Sequence, residues 1–504
     1  MKWTTQGGKA ARLGGDYQGR RVLTIFWHRL RVPAQSQQHD FVTMRTLPLY
    51  SVLFGCITAA LIFFSTLGGP AFIEEQYNRN RPSKSKPKGP PISHSQSHAW
   101  QSQREWIYKY PRDARNYGLD EAQCLSAFPE LYKEIDRAVA WWKDKGGITA
   151  RELDVGWRGD GIVRAMIYDN QLYVIDAHNV FDHNHRPRAL ATLHSIHRAV
   201  TAHPGTLPNI EFTVTDHDAA LIDQDDLNHT TWGYSRLARQ ENLWLCPDFG
   251  FFGWPNVGLR SYSELQHTIA AEEEDFLDKI PQIVWRGAVE GLGSHDARSG
   301  LISASANQPW SDVQSLDWSN KTNIATRLLG MEDHCAYQFL AQTEGNTYSG
   351  RLKYLLNCHS VILSHPLNWI EHFHHLLQPS GKSQNYVQTK RDFSDLPPKM
   401  ASLLKPSNIR SSTQKIADNA RATFRERYLT PAAEACYWRS LFRGWAEVQT
   451  FEVQGWKDRL VDDPTTGRKK IKRTMRGVPF ESYVLMEEVE WELPAKARKM
   501  CIVE

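Results

Sequence analysis

Apolar and polar positions divide this chain into stretches of different texture. From Leu47 to Leu67 (LPLYSVLFGCITAALIFFSTL) no side chain is charged. About 20 apolar residues cross a bilayer core, so the run is predicted to be a membrane span. Residues 68–103 are dominated by Pro, Ser, Lys and His, which cannot bury a core and read as an extended stalk. Periodicity then returns. Leu131, Ile135, Val139 and Trp142 recur at helical spacing ahead of Gly146-Gly147. Ile162–Ile175 holds two strand-like runs around Asp169-Asn170, a hairpin. Ala189–Val200 is helical, and Ile210–Val214 alternates as a strand before the polar Thr215-Asp216-His217-Asp218. Ile280–Trp285 reads as a second buried strand, ended by Arg286-Gly287, and the Gly- and Ser-rich Gly291–Gln308 reads as a loop. The apolar Tyr337, Phe339 and Leu340 precede the small-residue run Glu344–Gly350. Leu352, Leu355 and Leu356 then share a helical face, and Val361–Leu363 form a short buried strand, which makes a βαβ unit. Pro406–Val448 is mostly helical, and the basic run Gly467–Gly477 reads as a solvated loop.

Charge and cysteine content narrow the class. Lys and Arg total 60 against 56 Asp and Glu, and a net +4 over 504 residues gives no support for nucleic-acid binding. Residues 1–46 carry eight Lys and Arg against Asp16 and Asp40, which predicts a cytoplasmic N-terminus. The apolar run starts too late and is too long for a cleaved signal peptide. Seven cysteines show neither CxxC nor Cys/His zinc spacing. Cys56 falls in the apolar run, and the other six suit disulfides in an oxidising lumen or free buried thiols equally. Eighteen tryptophans suit sugar stacking and core packing alike. Asn228 and Asn320 open glycosylation sequons.

Three places carry candidate chemistry. Gly345 and Gly350 let backbone approach a ligand, and Arg351 opens a helix, where unpaired N–H groups and a guanidinium would hold a diphosphate. The plainer reading is an ordinary loop with a surface Arg. Asp216 and Asp218 close a strand, the edge that lines ligand crevices in open α/β sheets, as a catalytic base or as loop-capping carboxylates. Asp216–Asp218 and Asp223–Asp225 also match the D-x-D pattern of metal–nucleotide sites, which is common by chance; an arginine clamp removes the need for the ion. Cys246–Ser263, dense in aromatics, Gly and Pro, is a packed loop or a binding surface.

The block Y-S-G-R-L-K-Y-L-L-N-C-H-S-V-I-L (Tyr348–Leu363), with W-I-E-H-F (Trp369–Phe373), Y-V-Q-T (Tyr386–Thr389) and D-F-S-D-L (Asp392–Leu396), resembles glycosyltransferase family 90. That family includes fungal capsule-associated proteins and protein O-glucosyltransferases, and the resemblance spans about Pro208–Phe442. It implies an α/β fold that is GT-B-like, with two Rossmann-like domains facing a cleft. The organisation expected is a cytoplasmic tail 1–46, anchor 47–67, stalk 68–103, acceptor-side domain 104–275, nucleotide-sugar domain 276–405, helices 406–450 crossing back, and tail 451–504. It places nucleotide-sugar contacts on Asn346, Tyr348, Ser349, Gly350 and Arg351. The base falls on Asp218, with Asp216 second; the family's aromatic–proline after that Asp is Ala219-Ala220 here. Arg286-Gly287 resembles the family's strand-R-G motif, with Arg286 facing the donor or salt-bridged inside its domain. Arg298 is the match for a further donor Arg. Glu371 binds a ribose or sugar hydroxyl, or caps a helix. Phe249, Phe251, Phe252 and Trp254 match the acceptor loop.

The expected protein is a type II membrane glycosyltransferase of the Golgi or ER, its body lumenal. It would transfer xylose or glucose from a UDP-sugar to a glycan or glycoprotein with inversion and without a required cofactor or metal. Two other readings stand beside it: an inactive membrane-tethered carbohydrate-binding protein of the same fold, and a cytosol-facing scaffold using the basic tail.

Overall fold

The computed structural model describes residues 106–485, except 181–183, 224–225, 255–257 and 290–292. The expected tail, membrane span and stalk, and Cys501, lie outside the described residues. Among the described residues no helix is long and apolar enough to cross a membrane.

Two sheets organise the body. In the first lobe, β1 (Ile162–Tyr168) pairs antiparallel with both β2 (Gln171–His178) and β3 (Ile210–Thr215). The short strands Trp232–Gly233 and Trp244–Leu245 continue in parallel beyond β3, and Val478–Pro479 covers the β2 edge. The centre of this sheet is therefore not the parallel Rossmann-like layer expected. The reason is local. Asp169 and Asn170 both take positive φ, 55° and 60°, and turn β1 straight back onto β2. A parallel return would need a crossover of a dozen or more residues.

The second sheet is wholly parallel. Its order is β5 (Ser311–Ser315), β4 (Ile280–Gly287), β6 (Tyr337–Gln342), β7 (Val361–Ser364) and β8 (Val387–Gln388). Numbered within the sheet this is 2-1-3-4-5, a doubly wound order whose ligand crevice opens where the winding reverses, beyond the C-terminal ends of β4 and β6. Side chains alternate between two cores. Val284, Leu340 and Ile362 enter the core shared with the first lobe, while Trp285, Phe339 and Leu363 enter a second one.

The lobes are not separable bodies, since the described residues belong to one compact unit. Thr430 caps the helix Pro431–Val448 by accepting from the Ala433 N–H, with Pro431 at its first turn. That helix returns to the first lobe, where Trp445 Nε1 donates to the Glu211 carbonyl at 3.0 Å and Cys436 is bridged to Cys124. Trp369–Ile370 pairs with Arg236–Leu237 across the lobes.

Two loops expected from composition are ordered elements. Within Gly291–Gln308, residues His295–Ser305 form a helix. Ala297 and Leu301 are buried at i, i+4, and Gly300 is a packing residue, because a Cβ there would collide with the Asp392 carbonyl oxygen. The basic run belongs to an exposed hairpin, Trp456–Asp462 against Lys469–Met475.

Candidate active site

The crevice beyond β4 and β6 opens onto the tip of β3. A cavity of about 250 Å³ there is lined by Arg188, Asp218, Asp248, Phe249 and Trp254 from the first lobe and by Tyr348, Ser349, Gly350, Arg351 and Lys353 from the second. The strand-tip carboxylate and the serine-glycine-arginine corner therefore share one groove.

Arg351 precedes a helix of only four residues, Leu352–Leu355. So short a helix sums few peptide dipoles, and the helix-terminus grip expected from sequence is weak. The positive charge comes from guanidinium groups instead. Arg351 Nη1 donates to the Arg286 carbonyl at 2.6 Å. Arg298, from the helix His295–Ser305, donates to the carbonyls of Glu344 at 2.8 Å and Ala288 at 2.6 Å. Both guanidiniums lie 5.6 Å from the Trp285 ring centroid. Among the described residues neither pairs with a carboxylate. Burial, with the charge of Arg298 beside it, presses Arg351 down to about 9, and burial presses Arg298 down to about 10. Two desolvated cations held by carbonyl dipoles and one aromatic ring, with no carboxylate, can take an anion. Gly287 keeps this space open, since a Cβ there would lie 3.3 Å from Arg351 Nη2.

Two further cations at the groove are neutralised. Lys353 Nζ pairs with Asp248 Oδ2 at 2.7 Å, both side chains almost fully buried, and Tyr348 donates to the same oxygen at 3.1 Å. Asp248 Oδ1 accepts from the Gly250 N–H at 2.8 Å, so this knot fastens the aromatic loop to the arginine corner. Arg188 Nη1 bonds Asp218 Oδ1 at 2.9 Å and lies over Phe249 and Trp254, 4.8 and 5.1 Å from their centroids.

The two candidate bases occupy different settings. Asp218 is half-exposed in the groove. Asp216 is buried away from it, takes a hydrogen bond from His185 Nδ1 at 2.7 Å, and is raised by burial to about 6. The carboxylates of the first D-x-D motif thus turn to separate partners rather than to one ion. In the second motif, Asp223–Asp225, residues Gln224 and Asp225 lie outside the described residues.

The remaining candidates divide. Arg286 is spent inside its lobe, on Asp312 Oδ2 at 2.8 Å and on the carbonyls of Asp312 and Arg327, and meets the site only through its own carbonyl. Asn346 Oδ1 accepts from the Gly293 N–H at 2.9 Å and shapes the loop. Glu371 is buried against His374 at 2.9 Å, next to the short helix His374–Leu376 that follows it. Phe249 and Trp254 face the groove, whereas Phe251 packs on Tyr262 and Phe252 stacks on His194 at 5.0 Å, both away from it. Sequence reasoning missed Asp248, Lys353 and Arg188. Lys353 follows Arg351 by two positions on what reads as a solvent face, and only the tertiary fold buries it.

Comparison with known proteins fits this arrangement. The family model described as glycosyl transferase family 90 matches residues 122–489. O-glucosyltransferase rumi of Drosophila pseudoobscura pseudoobscura is 30% identical over 191 residues, 35% of this chain and 43% of that protein. Protein O-glucosyltransferase 1 is 27% identical over 152 residues in Rattus norvegicus, 30% of this chain and 36% of that one. In Homo sapiens it is 25% identical over 147 residues, 29% of this chain and 35% of that one. The matches thus span less than half of those relatives. The Candida albicans trehalose-6-phosphate phosphatase N-terminal domain overlays 36% of this chain and 45% of its own at 11% identity, with a TM-score of 0.22 too low to bear on the fold. With its model matched across most of the folded body, around the cleft just described, the chain belongs to glycosyltransferase family 90.

Proposed function

We propose that this chain transfers a sugar, glucose or xylose, from a UDP-sugar to a hydroxyl of a glycan or glycoprotein, by direct displacement with inversion. The acceptor oxygen attacks the anomeric carbon, the bond from that carbon to the diphosphate oxygen breaks, and its electron pair leaves with UDP. The acceptor proton passes to Asp218, which the Arg188 contact keeps aligned. Arg351 and Arg298 offset the charge that develops on the diphosphate, the role a metal ion fills at other sites. Phe249 and Trp254 line the acceptor side. The observation that carries this reading is the shared groove, lined by both Asp218 and a guanidinium without a carboxylate.

The disulfides Cys124–Cys436 and Cys335–Cys358 support a lumenal body. Residues 47–67 would then anchor it in a Golgi or ER membrane with its N-terminus in the cytosol. Ala219-Ala220 after Asp218 favours the second reading, a sugar-binding protein without catalysis. Incubating the purified protein with a panel of UDP-sugars and measuring released UDP separates the two. Release from one donor, increased by acceptor, is expected. Sugar binding without any release rejects transfer.

A further inference from the structure

Beside the groove, and with no part in the transfer step above, lies a cluster of a different chemistry. Asp160 ends the turn before β1, His185 opens the helix His185–Thr201, and His217 follows the tip of β3. These three are distant in sequence, yet each offers one ligand atom and the three atoms lie within 4.8 Å of one another. His217 Nε2 is 3.1 Å from Asp160 Oδ1, and the two imidazole rings are 4.7 Å apart between centroids. Two imidazoles and a carboxylate are the donor set of zinc sites that keep a fourth position open.

The surroundings are built for such a set. Asp216 Oδ1 takes a hydrogen bond from His185 Nδ1 at 2.7 Å, the carboxylate–imidazole pairing that orients a histidine toward a metal. Asp216 is 3% exposed, and its Oδ2 has no hydrogen-bond partner among the described residues. Gly161 passes beneath with φ of +61°, and a Cβ there would lie 2.5 Å from both Asp216 Oδ1 and His217 Nε2. Only a glycine lets the backbone run this close to the cluster. The nearby guanidinium of Arg158 is turned to the carbonyls of Asp160 and Ala220.

We propose that Asp160, His185 and His217 form a divalent transition-metal site, zinc by preference, with Asp216 orienting His185. The metal would pin the turn before β1 and the helix His185–Thr201 to the loop that carries Asp218, and so act as a positioning element. The site stands or falls apart from the reaction assigned to the groove.

The test uses the full chain, stripped with chelator, desalted and titrated with Zn²⁺ by calorimetry, alongside thermal unfolding and Co²⁺ absorption. One Zn²⁺ per chain, a rise in Tm on adding it and a tetrahedral Co²⁺ spectrum are expected. Asp160→Ala and His217→Ala should each abolish these, and Asp216→Asn should weaken zinc about 10- to 100-fold. His229→Ala, at a separate His–Asp pair with Asp226, should change nothing. If His217→Ala fails to fold, the half-exposed Asp160 still decides the matter. No stoichiometric zinc, or zinc held equally by the Asp160→Ala protein, overturns the proposal.

Discussion

Replacing Arg351 by Met should improve the free protein and damage the liganded one. The guanidinium is desolvated, faces Arg298, and is compensated only by the Arg286 carbonyl and the Trp285 ring. A fall from 12.5 to about 9 corresponds to roughly 5 kcal/mol of charge burial, at about 1.4 kcal/mol per tenfold change in proton affinity. That is an upper bound, since Arg351 is partly exposed to the groove. Losing the carbonyl bond and the ring contact returns about 1 kcal/mol each. Arg351→Met should therefore raise stability by about 1–3 kcal/mol without ligand, as replacing an uncompensated buried charge often does. With UDP the sign reverses. A charge-assisted contact to the diphosphate is worth about 2–3 kcal/mol, or roughly 100-fold in Kd. UDP at about 100 times its wild-type Kd stabilises the native protein by about 2.7 kcal/mol, and this falls to about 0.4 kcal/mol in the variant. Thermal unfolding with and without UDP measures both halves. A variant that is less stable than wild type yet keeps the full UDP shift refutes the idea that Arg351 waits for an anion.

Other substitutions probe the remaining parts. Asp218→Asn should lower kcat/KM about 10²- to 10⁴-fold while leaving the UDP-induced Tm shift intact, and more than about a tenth of normal turnover rules it out as the base. Asp248→Asn strands the buried Lys353 ammonium and should cost about 3–5 kcal/mol in urea unfolding, with much of the loss recovered by adding Lys353→Met; no recovery would place the damage elsewhere in the loop. Burial holds His334 at about 4 against an ordinary 6.5. The unfolded chain then binds a proton that the folded one refuses, so stability should fall by about 3 kcal/mol as pH drops from 6.5 to 4. His334→Gln should flatten that part of the stability–pH curve, and an unchanged slope would assign it to other groups.

Local pattern was enough to find most of the secondary structure. The period-2 runs at Ile162–Ile175 and Ile210–Val214, and the helical spacing at Leu131–Trp142, depend only on which face of an element is apolar. The family was legible as well, and Asp218 and Arg351 could be picked out as candidates, because those signals lie in short contiguous motifs. The helix His295–Ser305 was hidden because Gly300 and the serines imitate a loop, while the reason for that glycine, the Asp392 carbonyl, lies 92 positions along the chain. Charge pairing was hidden for the same reason. Asp248 meets Lys353 across 105 positions and Arg298 meets the Glu344 carbonyl across 46, so residue type gave no sign of which cations are neutralised. Arg286 and Arg351 look alike as letters. Folding gives one a carboxylate and leaves the other without, and that difference in desolvated charge is a property of three-dimensional neighbours alone.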